Sequence, residues 1–351
     1  MKCRKILSFL LLLSLSLTLI ACDKQPGQIT PRTKQYYEYF DTVSVIFSYA
    51  DETDEEFESH TAIVRDVLSE YHKLFDIYYE YSGINNLKTV NKNAGKEPVK
   101  VDEKMIDFLL YAKEIYTLTD GETNIAMGSV LKLWHDCREE AEFYPDRASV
   151  PTEEELTRAA EHINIDDLVI DTENSTVYLR DPNMRLDVGA IGKGYATERA
   201  REALVELDVS SYVLNIGGNI SAIGEKPDGK GWKTSVTNPD RESDEPYVVS
   251  VDLRDTACVT SGNYERYYTV GGVRYHHIID KDTLMPSEHF ASVTVFTKDS
   301  ALADALSTAL FSTSYEDGLS LVNEIGDVDV LWVTNDGSMY MTDGVREIII
   351  E

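Results

Sequence analysis

Basic residues are scarce in this sequence. Its 351 residues include 33 Lys and Arg against 62 Asp and Glu, which gives a formal net charge of −29. A nucleic-acid backbone is bound by clustered Lys and Arg, so this deficit argues against nucleic acid as a partner. The same acidity disfavours tight contact with an anionic lipid surface. A phosphorylated ligand is still compatible with an acidic chain if a metal ion supplies positive charge.

Cysteine is also rare, and the sequence has no Cys-x-x-Cys pair or Cys/His spacing typical of a zinc site. Cys3 and Cys22 lie near the N-terminus, which leaves Cys137 and Cys258. These two can form one disulfide or lie buried as small apolar residues. We favour the second interpretation, because a chain of this length with 42% hydrophobic residues can bury a large core without a cross-link.

The longest apolar run is short for a membrane-spanning helix. Residues Ile6–Ile20 fall below the ~20 residues that a span needs. The run follows the basic segment Lys2–Lys5 and precedes Ala21, Cys22 and a polar stretch, which is the pattern of a secretory signal and resembles a bacterial lipobox. We predict a lipoprotein signal peptide over residues 1–21. A lipid on Cys22 would then anchor the extracytoplasmic protein to the cell membrane. The alternative is an uncleaved membrane helix.

The rest of the chain has no repeat, low-complexity stretch or internal linker. Residues 22–34 include Pro26, Gly27 and Pro31 and are predicted to be a short tether. Residues 35–351 are predicted to form one catalytic domain. Strand and helix patterns mix there without a steady βαβ rhythm, so we predict the α+β fold class.

The spacing of apolar residues predicts the individual helices and strands. Helices are predicted over residues 54–78, 103–118, 151–163, 194–207 and 301–311. Strands are predicted over residues 36–50, 168–170, 176–179, 212–216, 264–270, 273–279, 292–296, 328–334 and 338–342. The short turns Asn174-Ser175, Gly271-Gly272 and Asp336-Gly337 predict hairpins between the strands that flank them.

The segment Leu186–Tyr195 contains three glycines and runs from a predicted strand into a predicted helix. Glycines at such a junction let the backbone approach a ligand, and the helix N-terminus favours anions. Lys193 adds a positive charge suited to a phosphate. The segment is not a P-loop, because Gly194 follows the lysine where Ser or Thr is required. The alternative interpretation is a tight structural turn with an exposed lysine.

Two further segments have weaker signals. Gly217-Gly218, within Asn215–Ile220, can accommodate a flat ring or a phosphate, although a plain turn is the favoured interpretation. His276 and His277 lie on a predicted strand, where neighbouring side chains point to opposite faces, so they are poorly placed to bind one metal together. One of them can face a cleft and act as a general base, but a lone strand histidine is more often structural.

Asp304 and Thr308 are four residues apart on a predicted helix whose other residues are small or apolar, so their oxygens share one face. A buried carboxylate needs a partner. A hard cation such as Mg²⁺ is one candidate, with water and phosphate oxygens completing its shell. The alternative is that Asp304 pairs with a lysine or arginine and that Thr308 bonds to a backbone carbonyl.

Taken in this order, the four segments resemble the FAD:protein FMN transferase family, the ApbE-like flavin transferases. The likeness runs from about Phe40 to Phe311. It includes the shorter segments Phe40-Asp41-Thr42, Ser82–Leu87, Asn91, Asp120–Asn124 and Leu131–Trp134. The resemblance implies an α+β flavin-transferase fold, FAD as the donor substrate and Mg²⁺ as the metal.

The resemblance also implies roles for individual residues. It assigns the metal to the Ala190 carbonyl, Asp304 and Thr308, with Ser307 as a further candidate, and it assigns the general base to His277. It places FAD against Phe40, Ser82, Gly83, Ile84, Asn124, Lys193 and the Ile278 backbone.

Three departures from the family pattern concern ligand contacts. The family's Met-Gly-Thr is Phe40-Asp41-Thr42, its usual Asp is Asn124, and its Pro and Gly after Asp280 are Lys281 and Leu284.

The reaction implied by the resemblance is Mg²⁺-dependent transfer of FMN from FAD to a Thr or Ser hydroxyl of an acceptor protein, with release of AMP. The implied acceptor is a flavoprotein of a membrane-associated electron-transfer system. An FAD pyrophosphatase would use the same residues with water as the nucleophile. A non-catalytic FAD-binding lipoprotein is a further alternative. A solute-binding lipoprotein would need two α/β lobes, which the predicted elements do not provide.

Overall fold

The computed structural model describes residues 31–350. The predicted signal peptide and Cys22 lie outside these residues, and the tether falls within them only from residue 31. Helices and antiparallel sheets are mixed along the chain, so the α+β prediction is confirmed. None of the described helices is long and apolar enough to cross a membrane. No disulfide joins Cys137 to Cys258, and Cys258 is buried.

Fifteen strands occur in the described residues. They are β1 (Arg32–Tyr39), β2 (Thr42–Ser48), β3 (Val99–Lys100), β4 (Leu168–Asp171), β5 (Thr176–Leu179), β6 (Tyr212–Ile216), β7 (Asn219–Ile223), β8 (Trp232–Thr237), β9 (Tyr247–Leu253), β10 (Ala257–Gly262), β11 (Tyr267–Val270), β12 (Val273–His276), β13 (Ser292–Thr297), β14 (Asp329–Val333) and β15 (Met339–Met341). The main sheet has the order β1-β2-β6-β7-β10-β13-β14-β15, and three small sheets are β3-β5-β4, β8-β9 and β11-β12.

Nine α-helices accompany the strands in the described residues. They are α1 (Asp54–Phe75), α2 (Leu87–Lys92), α3 (Glu103–Leu118), α4 (Gly128–Phe143), α5 (Glu153–Ala160), α6 (Gly192–Val205), α7 (Ser300–Phe311), α8 (Tyr315–Ile325) and α9 (Asp343–Ile348). Helices α1 and α5 begin with capping boxes, in which Thr53 and Thr152 exchange hydrogen bonds with Glu56 and Glu155. These local bonds satisfy amides that the first helical turn leaves free.

Most predicted elements are present with shifted ends, but the predicted strand 36–50 is wrong as a single element. It is the hairpin β1–β2, whose turn contains Phe40 and Asp41 with φ values of 55° and 51°. Neither residue is glycine, so the apolar pattern carried no sign of this left-handed turn. The two strands around Gly271-Gly272 are shorter than predicted, and β12 ends at His276.

The site-bearing helices α6 and α7 pack closely against each other. A Cβ atom on Gly194 of α6 would lie 2.3 Å from the Asp304 Cβ and 2.5 Å from the Ser300 carbonyl oxygen of α7. Helix α1 covers the other side of α6, with Phe75 near Gly192. Only a residue without a side chain allows this approach, which brings the N-terminal turn of α6 to the middle of α7.

Candidate active site

The glycine segment that leads into α6 is fixed by hydrogen bonds to two other parts of the chain. The Asn91 side chain in α2 donates to the Leu186 carbonyl (2.9 Å) and accepts from the Leu186 amide (2.7 Å). The Asp187 amide donates to the Ile125 carbonyl at 2.8 Å. The Asn91 side chain therefore satisfies both backbone groups of Leu186, as a neighbouring strand would, and so positions the turn that follows.

The first turn of α6 departs from regular helical bonding. In a regular turn, the Gly194 amide would donate to the Ala190 carbonyl. Here it donates to Asp304 Oδ2 at 2.7 Å instead. The Ala190 carbonyl accepts no hydrogen bond from any of residues 31–350. This one hydrogen bond affects two of the predicted metal ligands. It holds the Asp304 carboxylate in place, and it leaves the Ala190 carbonyl oxygen without a donor.

Asp304 is buried, with 6% of its surface exposed. Burial raises the pKa of this carboxyl, and the positive charges of Lys193 and Arg266 oppose that rise. Asn219 lies between Lys193 and Asp304. Its Oδ1 accepts a hydrogen bond from Lys193 Nζ at 3.0 Å, and its side-chain amide faces Asp304. Across the described chain, no lysine or arginine forms a salt bridge with Asp304. Asp304 is therefore a buried carboxyl group that accepts a hydrogen bond from the Gly194 amide and has no salt-bridge partner in the described residues.

The hydroxyl groups of α7 lie beside a serine of β10. Ser261 Oγ is 2.8 Å from Ser307 Oγ and 3.4 Å from Thr308 Oγ1. Ser307 also donates to the Asp304 backbone carbonyl at 2.9 Å and is fully buried. Thr308 is half-buried, and within the described residues its hydroxyl does not bond to a backbone carbonyl. Thr308 is therefore the more accessible of the two candidate hydroxyl ligands.

These groups fit a hard, oxygen-binding cation. The available donors are a carboxylate, a hydroxyl and a free backbone carbonyl. No cluster of three or more His, Cys, Asp or Glu with metal-binding geometry occurs in residues 31–350. That donor set suits Mg²⁺, which keeps water and takes phosphate oxygens, and it does not suit zinc, which prefers nitrogen and sulfur.

The two neighbouring histidines occupy different environments. His276 Nε2 donates to the Ser287 carbonyl at 2.9 Å, and its Nδ1 accepts from the Ile278 amide at 3.3 Å. Both of its ring nitrogens are used, so His276 is structural. His277 follows the end of β12, and its Nδ1 is shielded from solvent without a hydrogen-bond partner in the described residues. Burial, with a smaller contribution from the positive charge of Arg266, lowers the pKa of His277 to about 3.

An imidazole with this pKa is neutral at pH 7. This is the protonation state that a general base requires, but the pKa lies well below the working pH at which a general base is most effective.

His72 of α1, a residue that sequence reasoning missed, contacts the predicted FAD contact Phe40 and also Tyr81, which directly precedes the predicted contacts Ser82–Ile84. His72 Nδ1 accepts from the Phe40 amide at 3.2 Å, and the two rings meet edge to face at 5.6 Å. On the other ring nitrogen, Tyr81 OH lies 3.4 Å from His72 Nε2, next to the turn at Gly83. A single histidine within a regular amphipathic helix does not indicate from the sequence that it contacts Phe40 and Tyr81.

The turn at Phe40 also touches the second glycine segment. Gly217 is so close to Thr42 that a Cβ atom would lie 2.4 Å from the Thr42 hydroxyl. Gly217-Gly218 forms the β6–β7 turn, and β7 then begins at Asn219. The favoured interpretation of this pair as a turn agrees with the structure. The turn connects the Phe40 region to the Lys193–Asn219–Asp304 group.

Asn124 is engaged by the backbone. Its Nδ2 donates to the Ile163 carbonyl at 3.0 Å, and its Oδ1 accepts from the Ala126 amide at 2.8 Å. The side chain thus shapes its own loop, and its predicted FAD contact stays a prediction. Ile278 is likewise tied by its backbone, which accepts from the Ser287 amide at 3.0 Å.

The loop after Asp280 is stabilised despite its departures from the family pattern. Lys281 pairs with Glu122 at 3.2 Å, and Trp134 Nε1 donates to the Leu284 carbonyl at 2.9 Å. Leu284 adopts the positive φ of 60° at the position where the family has glycine.

A cavity of about 280 Å³ lies elsewhere in the protein. None of the candidate site residues lines it; its lining residues are Asp252, Arg254, Thr256, Glu347, Ile348 and Ile350.

The geometry defines a class of protein. A lysine and a free carbonyl at a helix N-terminus lie beside a buried carboxylate, with a neutral histidine on a neighbouring hairpin, in an α+β fold. Such a site suits a phosphorylated ligand handled with a hard cation and a general base. The model of the ApbE family matches residues 40–332, and the chain belongs to this family.

Relatives with known names and structures are consistent with that membership. The FAD:protein FMN transferase of Klebsiella pneumoniae is 31% identical over 258 residues, which cover 73% of this chain and 77% of the relative. The enzyme of the same name from Treponema pallidum is 33% identical over 273 residues, covering 74% and 73%. The crystal structure of the ApbE protein from Thermotoga maritima has a TM-score of 0.79 at 27% identity and covers 92% of this chain and 100% of that structure.

We predict that Asn91→Ala destabilises the protein. The substitution leaves the amide and the carbonyl of Leu186 without their partners in a partly buried position. Such a loss costs roughly 1–3 kcal/mol, to be measured as the free energy of unfolding in urea. The matched control is Asn93→Ala, which removes a single bond to Thr89 in the same helical region. Equal effects of the two substitutions would contradict the proposed role of Asn91.

Proposed function

We propose that this protein is an FAD:protein FMN transferase that needs Mg²⁺. It transfers FMN from FAD to a Thr or Ser hydroxyl of an acceptor protein and releases AMP. The observation that carries the proposal is the Gly194–Asp304 hydrogen bond, which joins a buried carboxylate to a turn with a free carbonyl and Lys193. The names of the relatives support the same activity.

The donor FAD would be bound mainly through the negative charge of its pyrophosphate. Asp304, Thr308 and the Ala190 carbonyl would hold Mg²⁺, which supplies positive charge against the pyrophosphate and favours departure of AMP. Lys193 and the N-terminus of α6 bind the remaining phosphate charge. Phe40 and the loop Ser82–Ile84 would contact the flavin half, as the family resemblance implies. His72 bonds to the Phe40 amide and lies beside Tyr81, which precedes that loop.

The chemical step needs a base and a positioned nucleophile. The acceptor hydroxyl oxygen attacks the phosphorus nearest riboflavin and forms a phosphoester bond. The bond from that phosphorus to the bridging oxygen breaks, and AMP departs with the bonding electrons. His277, the base that the family resemblance implies, accepts the hydroxyl proton, and its ring is in the neutral form that this step requires. Phosphoryl transfer of this kind depends mainly on positioning and charge stabilisation.

The proposal includes the location of the enzyme. The lipobox-like segment that ends at Cys22 supports an extracytoplasmic enzyme anchored to the cell membrane. The acceptor is proposed to be a flavoprotein of a membrane-associated electron-transfer system. An anchored enzyme would meet such an acceptor at the membrane surface, where confinement raises their effective concentration.

His277→Ala should slow transfer by about 10²–10⁴-fold, because general-base assistance is lost, and leave FAD affinity unchanged. The assay incubates the purified protein with FAD, Mg²⁺ and a membrane fraction from source cells that lack it. Covalent flavin fluorescence is then read after denaturing electrophoresis. His289→Ala, which removes an exposed imidazole nearby, is the control. A parental rate in the His277 variant would refute the base assignment. AMP release by the parental protein without labelling would favour a pyrophosphatase.

Asp304→Asn should reduce transfer by about 10²–10³-fold, because it removes the charge on which the cation depends and keeps an acceptor for the Gly194 amide. Mg²⁺ should raise the unfolding temperature of the parental protein and leave that of the variant unchanged. The control is Asp299→Asn, which changes an acidic residue at the start of the same helix and preserves its cap. An Mg²⁺-dependent stabilisation that survives in Asp304→Asn would exclude this metal site.

Cys22→Ser should move the protein from the membrane fraction to the soluble fraction of fractionated cells. Serine has no thiol to carry the lipid, and the mature chain would lose its anchor. Immunoblots of the two fractions measure the distribution. Cys137→Ser, which removes a different cysteine, should leave the protein with the membranes. If both variants fractionate alike, Cys22 is not the anchor.

A further inference from the structure

One imidazole lies between the turn at Phe40 and Tyr81, the residue that precedes the loop Ser82–Ile84. His72 is half-buried in the last turn of α1. Its Nδ1 accepts a hydrogen bond from the Phe40 amide at 3.2 Å, and its Nε2 lies 3.4 Å from the Tyr81 hydroxyl. The Tyr81 carbonyl in turn accepts from the Ile84 amide at 3.1 Å. His72 therefore connects two segments that are far apart in the chain.

The hydrogen bonds around His72 have one consistent direction. The Phe40 amide can only donate, so Nδ1 is the acceptor and the ring proton is assigned to Nε2. The Tyr81 hydroxyl donates its single proton to Asp76 Oδ2 at 2.7 Å, which leaves its oxygen to accept from Nε2 over the longer distance. Asp76 ends α1, and its other oxygen accepts from two backbone amides of the following turn. A chain of hydrogen bonds thus runs from the Phe40 amide to a fixed carboxylate.

The turn at Phe40 needs such support because its backbone is unusual. Phe40 and Asp41 have φ values of 55° and 51°, a region that residues with side chains rarely adopt and that costs free energy. The pairing of β1 with β2 is also irregular between Tyr36 and Tyr39. His72 accepts from the Phe40 amide and packs edge to face on the Phe40 ring at 5.6 Å. The imidazole therefore holds both the backbone and the side chain of Phe40.

The parts of these segments that a ligand can reach differ from the parts that hold them. Asp41, Ser82 and Gly83 are exposed. His72 and Tyr81 are half-buried, and their ring atoms are engaged with each other and with the neighbouring segments. This division favours a supporting role for His72 over direct contact with a ligand.

We propose that His72 is a positioning residue for the flavin half of FAD. This inference rests on the proposed function, in which Phe40 and Ser82–Ile84 contact that half. His72 acts through these residues, because it fixes the turn and the loop relative to each other before the ligand arrives. Such preorganisation lowers the conformational cost of binding. The phosphates are assigned to Lys193 and the N-terminus of α6, so their binding should not depend on His72.

The test compares His72→Leu and His72→Asn with the matched control His60→Leu. The control removes a half-buried imidazole from the same helix, where it contacts Glu52 and Tyr212. Calorimetric titration measures the affinities for FAD, for riboflavin, which lacks phosphate, and for ADP with Mg²⁺, which lacks flavin. His72→Leu should weaken FAD and riboflavin binding by about 10-fold, the value of one hydrogen bond, and leave ADP binding unchanged. Asparagine keeps an oxygen near the position of Nδ1, so His72→Asn should recover most of the affinity.

Hydrogen–deuterium exchange measures the same contact without a ligand. In His72→Leu the peptide that contains Phe40 should exchange faster than in the parental protein, because its amide has lost its acceptor. The peptide should be protected again in His72→Asn, and its exchange should be unchanged in His60→Leu.

Three results would overturn the inference. They are parental riboflavin affinity in His72→Leu, an equal loss of riboflavin and ADP affinity, and an equal loss of riboflavin affinity in His60→Leu. Thermal unfolding of each variant shows whether the fold is intact. The binding measurements need no acceptor protein, so they are independent of transferase activity. Loss of flavin binding alone in His72→Leu, without any labelling by the parental protein, would uphold His72 and refute the transferase. Labelling by the parental protein with unchanged riboflavin affinity in His72→Leu would refute His72 and uphold the transferase.

Discussion

The hydrogen bond from the Gly194 amide to the Asp304 carboxylate connects the packing of this protein to its chemistry. The bond forms because α6 and α7 approach so closely that a Cβ atom on Gly194 would overlap Asp304. Asp304 thereby caps the first turn of α6, where the helix dipole favours a negative charge. The same bond withdraws the amide from the Ala190 carbonyl. The helix contact thus fixes the Asp304 side chain and leaves the Ala190 carbonyl oxygen without a hydrogen bond from residues 31–350.

An acidic protein that handles an acidic dinucleotide must concentrate positive charge locally. Lys193 lies in the first turn of α6, and the Asn219 side chain that accepts its hydrogen bond also faces Asp304. Burial makes this arrangement effective, because charges interact more strongly where water is displaced. The same burial keeps the ring of His277 neutral. The Asp304 carboxyl and the His277 ring are therefore both removed from water, although the chain as a whole is strongly acidic.

Local signals predicted some elements well. Helix α3 has the predicted bounds 103–118, since Asp102 caps its first turn and its apolar spacing is regular. The β4–β5 and β11–β12 hairpins were found from their turn residues. The β1–β2 turn was missed because Phe40 and Asp41 adopt positive φ without glycine. Strands β8 and β9, which pair only with each other, were also not predicted.

The fold class, the family and the residue types of the candidate site can all be inferred from the amino-acid order alone. Asp304 with Thr308, the turn before Lys193 and the histidine pair are all recognisable there because each is local in the chain. Three-dimensional packing alone shows that Gly194 binds Asp304, that both ring nitrogens of His276 are hydrogen-bonded, and that Nδ1 of His277 has no partner in the described residues. These relations join residues far apart in sequence. They arise from helix packing and strand register, which no local pattern encodes.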